Sequence, residues 1–298
     1  MAELDDRRLS RPNTGAGRMQ RLVLEVLLEH EAAGELPTSG RFVFYELEGR
    51  GLVRKSSRGE FRRGTADDPR EQEVIDALTH LRDHGVIPWT WLVDETRQLY
   101  QWQHAPTVAE YVRRSVDPAR INQWPGEPPL LLVESRSLGG VLRATTGEYP
   151  VAIAATNGHT GGFLHTEVAP VLAGNYRVVL YLGDWDLQGH QIEANTRSVL
   201  ERAAGRWLDR ASWSRVAITD DQIAERGLTP VWNVDNRYRP ARDHEAWEAE
   251  ALCQGTIQQL VRNALDGLLP QPLEDVRECE ETQRERAAEL LDGLDSRS

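Results

Sequence analysis

Apolar residues recur at helical spacing in three stretches near the start of the chain. Residues 19–33 read MQRLVLEVLLEHEAA, good helix formers with an apolar stripe, and Gly34 stops them. Pro37-Thr38-Ser39 offers an N-cap to a second helix over residues 41–50, whose apolar positions are Phe42, Phe44, Tyr45 and Leu47. Gly51-Leu52-Val53 closes that helix. A third begins at Asp68-Pro69, turns Val74, Ile75, Ala77, Leu78 and Leu81 inward, and ends at Gly85. The intervening residues 54–68 are polar, basic and glycine-containing, which suits a β-wing or an exposed loop.

Helix, helix, wing and helix in that span is the pattern of a winged helix-turn-helix domain, in which a helix enters a DNA groove. Residues 86–102 read VIPWTWLVDETRQLYQW. The near-alternation of Trp89, Trp91, Tyr100 and Trp102 fits a strand that packs one aromatic face, with base stacking as the alternative. Pro106-Thr107 opens a helix to Val116, and NQWPGEPP at 122–129 is a proline-rich linker.

Beyond the linker the period changes. Residues 128–137 read PPLLLVESRS, a buried strand that delivers Glu134 at its tip and leads into a turn and helix over 135–144. Residues 151–155 are a second short strand, ending in Thr156-Asn157-Gly158-His159. Residues 178–182, VVLYL, are a third, followed by Gly183, then Asp184-Trp185-Asp186-Leu187-Gln188-Gly189, then a helix from about His190 to Ala204. Residues 216–219 are a fourth. Strands alternating with helices predict a parallel α/β sheet. WEAEAL at 247–252 reads as the start of a long helix over 246–268, on which Glu248 and Glu250 are not neighbours; they make a charged first turn, with one of them as an outer carboxylate of the active centre as the alternative. A charged terminal helix over 273–294 is solvated or faces a second protomer.

The strand tips carry the candidate chemistry. Residues i and i+2 of an extended segment project to one side, so Asp184 and Asp186 leave the third strand together, at the edge where open α/β sheets place ligands. Carboxylates held that close repel unless a cation lies between them, and hard oxygen ligands suit Mg²⁺. Glu134 adds a third acid. The bland alternative is an acidic turn in which Asp186 or Gln188 caps the following helix. Gly158, Gly161 and Gly162 make a loop that a phosphate could approach, and are equally an ordinary turn. His159 and His165 are candidates for phosphate or metal contact, with solvent exposure as the alternative.

Charge and cysteine content narrow the classes. The 298 residues carry a net charge of −12, so a protein coated with nucleic acid over its whole surface is excluded. Between residues 41 and 63, however, seven basic residues (Arg41, Arg50, Arg54, Lys55, Arg58, Arg62, Arg63) face three acids, a local stripe suited to phosphates or simply a solvated face. The two cysteines, Cys253 and Cys279, fit neither a zinc spacing nor a disulfide framework, and a reducing cytoplasm is the expectation. No apolar run approaches a membrane span, and residues 1–16 read as a disordered polar tail.

A Glu at one strand tip, followed about 50 residues later by D-x-D-x-x-G at another, resembles the Toprim domain of topoisomerases, primases and some nucleases. LLVES and YLGDWDLQG are most similar to the A subunit of topoisomerase VI and its relatives, which include the meiotic double-strand-break protein. Arg41-Phe42-Val43-Phe44-Tyr45 resembles that family's R-x-x-[FY]-Y motif. The resemblance implies a winged-helix domain over 17–121, the linker at 122–129, a Toprim-like metal-binding domain over 130–240 and C-terminal helices over 241–298. It implies Mg²⁺ held by Glu134, Asp184 and Asp186, Tyr45 as nucleophile toward a DNA phosphate, and Arg41 as its electrostatic helper. A phenol with a pKa of about 10 needs such help. Arg54, Lys55, Arg58, Arg62 and Arg63 are the candidate DNA contacts. The implied protein cleaves DNA as a homodimer, with a separate ATPase partner for strand passage. Two alternatives stay open: a hydrolytic Toprim endonuclease of the anti-plasmid defence kind, in which water attacks, and a non-catalytic DNA-binding module.

Overall fold

In the computed structural model the described residues are 8–53, 71–93, 103–122, 124–157, 161–172, 178–205, 212–235 and 242–295. Three helices come first: α1 (Gly15–Ala33), α2 (Gly40–Gly49) and α3 (Glu71–Asp83). Local chemistry sets their ends. The Thr14 side chain accepts from the Gly17 N–H, the Ser39 side chain from the Phe42 N–H, and Gly34 ends α1 at φ 70°, a left-handed conformation that glycine adopts without a Cβ penalty. Met19, Val23, Leu27, Val43, Phe44, Leu47, Val74 and Leu81 share one buried cluster. Ile75, expected on the inner face of α3, is 45% exposed: Val74, Ala77, Leu78 and Leu81 already fill the stripe that α1 and α2 can cover. Residues 8–14, within the stretch read as a tail, lie against these helices: Gln20 accepts from the Ser10 N–H at 2.8 Å, and Arg8 donates to the Gly85 carbonyl at 3.1 Å.

The aromatic stretch after α3 does not form the expected strand where it is described. Trp89–Trp91 is a single 3-10 turn, and Leu92 makes an isolated parallel bridge to Thr38. Trp91 packs on the helical cluster, whereas Trp89 is 60% exposed with the Arg82 guanidinium 4.3 Å above its ring. Pro88 fixes the backbone ahead of the turn, so alternation of large side chains is not enough to extend it. Tyr100 and Trp102 lie outside the described residues, as do Arg54, Lys55, Arg58, Arg62, Arg63, Gly158 and His159. A short helix α4 (Val108–Arg114), capped by Thr107, precedes the linker.

The second half is a parallel sheet of β1 (Leu130–Val133), β2 (Ala152–Ala155), β3 (Val179–Leu182) and β4 (Trp213–Ala217), in the spatial order β2-β1-β3-β4. Helix α5 (Arg136–Glu148) joins β1 to β2. From β2 the chain runs through α6 (Gly161–Phe163), a π-helical turn (Leu164–Val168) and α7 (Ala169–Leu172) to β3, and α8 (Leu187–Ala204) joins β3 to β4. Leu131, Val133, Leu180 and Leu182 pack one face with α5, and Leu130, Leu132, Val179 and Tyr181 pack the other with α7 and α8. Both faces of β1 and β3 are covered, which is why these two read as unbroken apolar runs. Because β2 lies on one side of β1 and β3 on the other, the connections reverse between β1 and β3. That is the switch point at which such sheets open a crevice.

The expected helix over 246–268 is three pieces. After α9 (Asp220–Arg226), β5 (Val231–Asp235) pairs antiparallel with β6 (Arg242–Ala246), then comes a 3-10 turn (Ala249–Ala251), and the helix proper, α10, begins at Gln254 and ends at Asp266. Helix propensity in WEAEAL is overridden by pairing: Trp185 and Trp247 exchange backbone hydrogen bonds at 2.8 and 3.1 Å. Helix α11 (Leu273–Asp295) closes the chain. Among the described residues no helix is long and apolar enough to cross a membrane.

Candidate functional site

Glu134 follows β1 and Asp184 follows β3, so the switch point brings them together. The Glu134 carboxylate accepts from the Asp184 N–H at 3.0 Å. Gly183, between β3 and Asp184, makes room for it: a Cβ there would stand 2.6 Å from Glu134 Oε2 and 3.0 Å from the Tyr181 hydroxyl oxygen. Asp184 turns its own carboxylate to the Ala249 N–H at 2.8 Å. Asp186 serves as the N-cap of α8, accepting from the Gly189 N–H at 2.6 Å, and lies 3.9 Å from His244 Nε2. The capping role weighed for Asp186 is therefore real. Capping uses Oδ1, so the residue still contributes charge to the cluster.

The glycine of D-x-D-x-x-G also has a steric reason. A Cβ on Gly189 would meet the Asp184 carbonyl oxygen at 2.4 Å, and that oxygen is fixed backbone. Gly189→Ala is therefore expected to destabilise the fold by about 1–3 kcal/mol, whereas Gly147→Ala, in open space on α5, should be neutral or gain about 0.5–1 kcal/mol. Urea denaturation of the two variants is the check, and equal stabilities would contradict the packing.

Glu248 and Glu250 complete the cluster, both of them where the sequence suggested at most one. Glu248 and Glu250 sit two apart in an irregular segment that the Trp185–Trp247 bridge holds against the D-x-D turn, and both are nearly inaccessible, at 5% and 2% exposure. Their i, i+2 spacing repeats that of Asp184 and Asp186, and this was the available signal. Instead of facing apart along a helix, they meet the same guanidinium: Arg41 Nη2 is 3.4 Å from Glu248 and Arg41 Nε is 3.3 Å from Glu250. Ser135, the N-cap of α5, donates its hydroxyl to Glu250 at 2.7 Å. Arg41 on α2 thus reaches across to the sheet edge, and Phe42 beside it packs into the α/β core. The Ser39 and Ser137 hydroxyls also touch across this junction.

Electrostatics follow from so much negative charge in a confined place. Burial, then the charge of Asp184, pushes Glu134 up to about 8, and Asp186 and Glu250 add to it against the single amide hydrogen bond. Burial and Glu250 push Asp184 up to about 6, opposed by the Ala249 N–H and Arg41. Glu248 is raised chiefly by burial, in spite of Arg41. Burial alone would lower Arg41, but Glu250, Glu248 and Asp184 more than reverse it.

Tyr45 shares α2 with Arg41. It is 6% exposed within the helical cluster, edge-on to Phe44 at 5.5 Å, with the Arg41 guanidinium 5.7 Å from its ring centre. His165 lies in the π-helical turn before α7. Among the described residues no group of three or more His, Cys, Asp and Glu side chains is arranged to hold a metal ion. Glu134, Asp184 and Asp186 each accept one backbone N–H. Glu134 Oε1 and Asp184 Oδ2 make no hydrogen bond among the described residues. The donor set, hard carboxylate oxygens carrying more negative charge than Arg41 offsets, fits a divalent cation such as Mg²⁺. Comparison with protein-family models, with curated proteins and with solved structures returned no match.

Proposed function

We propose that this chain is a Mg²⁺-dependent DNA-cleaving enzyme of the winged-helix-plus-Toprim kind. The observation that carries the reading is the meeting of Glu134 and Asp184 at the switch point of a parallel sheet, with both carboxyls raised first by burial and then by neighbouring carboxylates, Asp184 acting on Glu134 and Glu250 on Asp184. Glu134, Asp184 and Asp186 would hold the ion. Bound there, it would supply charge neutralisation for the attacked phosphate and its leaving oxygen. The chain's own groups do the rest. Arg41 carries a guanidinium, 42% exposed along its side chain, at the rim of the acidic edge, where a phosphate can meet it. Arg54, Lys55, Arg58, Arg62 and Arg63 supply the remaining attraction for the DNA backbone.

Water is the better attacker. Tyr45 is packed among apolar side chains, and Arg41, one helical turn before it, is engaged by carboxylates of its own chain. A hydrolytic nuclease needs neither a mobile phenol nor a second protomer. The tyrosyl route, with its homodimer and ATPase partner, is the second reading, favoured by the Arg41 guanidinium over the Tyr45 ring. Supercoiled plasmid incubated with the protein over a Mg²⁺ titration tests the proposal: metal-dependent nicking or linearisation is expected, and unchanged plasmid at all concentrations would leave only the DNA-binding module. Tyr45→Phe separates the routes. We expect it to cut at close to the wild-type rate with no protein–DNA adduct on a denaturing gel. A loss of cleavage in a folded Tyr45→Phe protein would reverse that order.

A further inference from the structure

Strand β4 pairs with β3 out of step. Tyr181 faces Arg215, but Leu182 faces Ala217, so Val216 has no partner. Such a bulge bends the strand and re-aims its side chains. Here it sends Arg215 across the end of β3, where the guanidinium is 11% exposed and lies 5.3 Å from the Tyr181 ring centre and 5.2 Å from that of Trp185. Nη1 donates to the carbonyls of Gly183 and Ile218, both at 2.9 Å, and more weakly to those of Asp184 and Ala217, at 3.3 and 3.4 Å. Nη2 donates to the Asp184 carbonyl at 3.2 Å. Nε is anchored by Glu193 Oε2 at 2.8 Å, and Trp213 Nε1 holds the other oxygen of Glu193 at 2.8 Å.

We propose that Arg215 is a positioning residue of the acidic centre, the group that fixes the Gly183–Asp184 turn in register with Glu134. Asp184 is then held at three points, with carboxylate Oδ2 left over. Its N–H is given to Glu134, its carboxylate accepts from Ala249, and its carbonyl is held by the Arg215 fork. Carbonyls at strand ends converge their negative dipoles, and a planar cation with five donors satisfies several at once. Lysine, with one ammonium and no plane to lie between two aromatic rings, cannot reproduce this. Arg215 touches neither a substrate nor a candidate ligand carboxylate, so its effect passes through the backbone of Asp184. The functional half of the inference rests on the reading of this centre as a metal site.

The test uses the full chain as Arg215→Lys, with Leu200→Ala as a control that opens a cavity under α8 in the same core. Amide hydrogen exchange without divalent ions should speed up at least tenfold at Gly183, Asp184 and Gly189 in Arg215→Lys, relative to the rest of the sheet. Titration calorimetry with MgCl₂ should show binding weakened about tenfold or more. Leu200→Ala, with a comparable loss in Tm, should leave both near wild type. Exchange in Arg215→Lys that matches Leu200→Ala overturns the inference, as does faster exchange with undiminished Mg²⁺ affinity. A wild-type protein that binds no Mg²⁺ sinks the metal reading instead, and the exchange result still decides whether Arg215 fixes the turn. If Arg215→Lys does not fold, Glu193→Gln, which removes the charge anchoring Nε, is judged by the same two measurements.

Discussion

Glu134→Gln and Asp184→Asn should each lose Mg²⁺-dependent cleavage by at least about 100-fold, while the folded protein becomes no less stable and, at alkaline pH, more so. The two effects share one cause. In the native state Glu134 titrates near 8 because burial and the charges of Asp184, Asp186 and Glu250 disfavour its anion. Unfolded, it titrates near the ordinary 4.5. Between these values the native protein binds a proton that the unfolded chain has released, so stability falls as pH rises from about 4.5 to about 8 and is flat beyond. Asp184 adds a similar decline between its ordinary 3.8 and about 6. Glutamine at 134 does not ionise, so its gain is absent at pH 4, grows through the window and reaches on the order of a few kcal/mol above pH 8. Mg²⁺ should reverse the ranking by stabilising wild type alone. Thermal melts at pH 4, 6 and 8.5, with and without MgCl₂, measure all of this. Wild-type cleavage in both variants would remove the metal assignment, and a Glu134→Gln protein less stable than wild type at pH 8.5 would remove the electrostatic one.

How much of this was legible in the sequence depended on how local each cause was. Gly34, Ser39 and Thr107 end or start helices by contacts within a few residues, and the sequence shows them. The tips of β1 and β3 were readable because strands buried on both faces must be apolar throughout, so the first acid after each run marks the sheet edge. Ile75 was misplaced because a helix pattern gives the direction of the apolar stripe and not how wide a neighbour will cover it. The segment after β6 was misread for a tertiary reason: the Trp185–Trp247 bridge holds residues 247–250 out of the helix that their composition favours. Glu248 and Glu250 were consequently read as helix residues that do not neighbour each other, when they meet one guanidinium and are among the most buried charged residues described. Arg215 left no mark, since a one-residue bulge in β4 is a relation between two strands.

The remaining large effect belongs to Arg41, whose two roles can be separated. Glu248 and Glu250 show 6% and 1% of their side chains to solvent, and Arg41 is the guanidinium that meets both. Arg41→Met removes that partner and leaves two buried carboxylates without it. The cost is about 3 kcal/mol near pH 8, the low end for a broken buried pair, because the guanidinium itself is 42% exposed and part of its charge is screened by water. The sign with pH is fixed. Burial already raises Glu248 and removing the cation raises it further, so the loss is largest where Glu248 is ionised in the unfolded chain and shrinks as acidification protonates it. Adding Glu248→Gln and Glu250→Gln to Arg41→Met should restore most of the stability at pH 8, since neutral amides need no counter-charge. Cleavage should not return with it. If Arg41 also meets the DNA phosphate, the triple variant folds like wild type and still cuts at least tenfold more slowly, a deficit of about 1.4 kcal/mol in the barrier. Urea denaturation beside the plasmid assay distinguishes the outcomes. Recovery of stability and cleavage together would mean that Arg41 serves only to hold α2 against the acidic edge. Failure of the amides to restore stability would mean that the Arg41 stem, and not its charge, is what the junction requires.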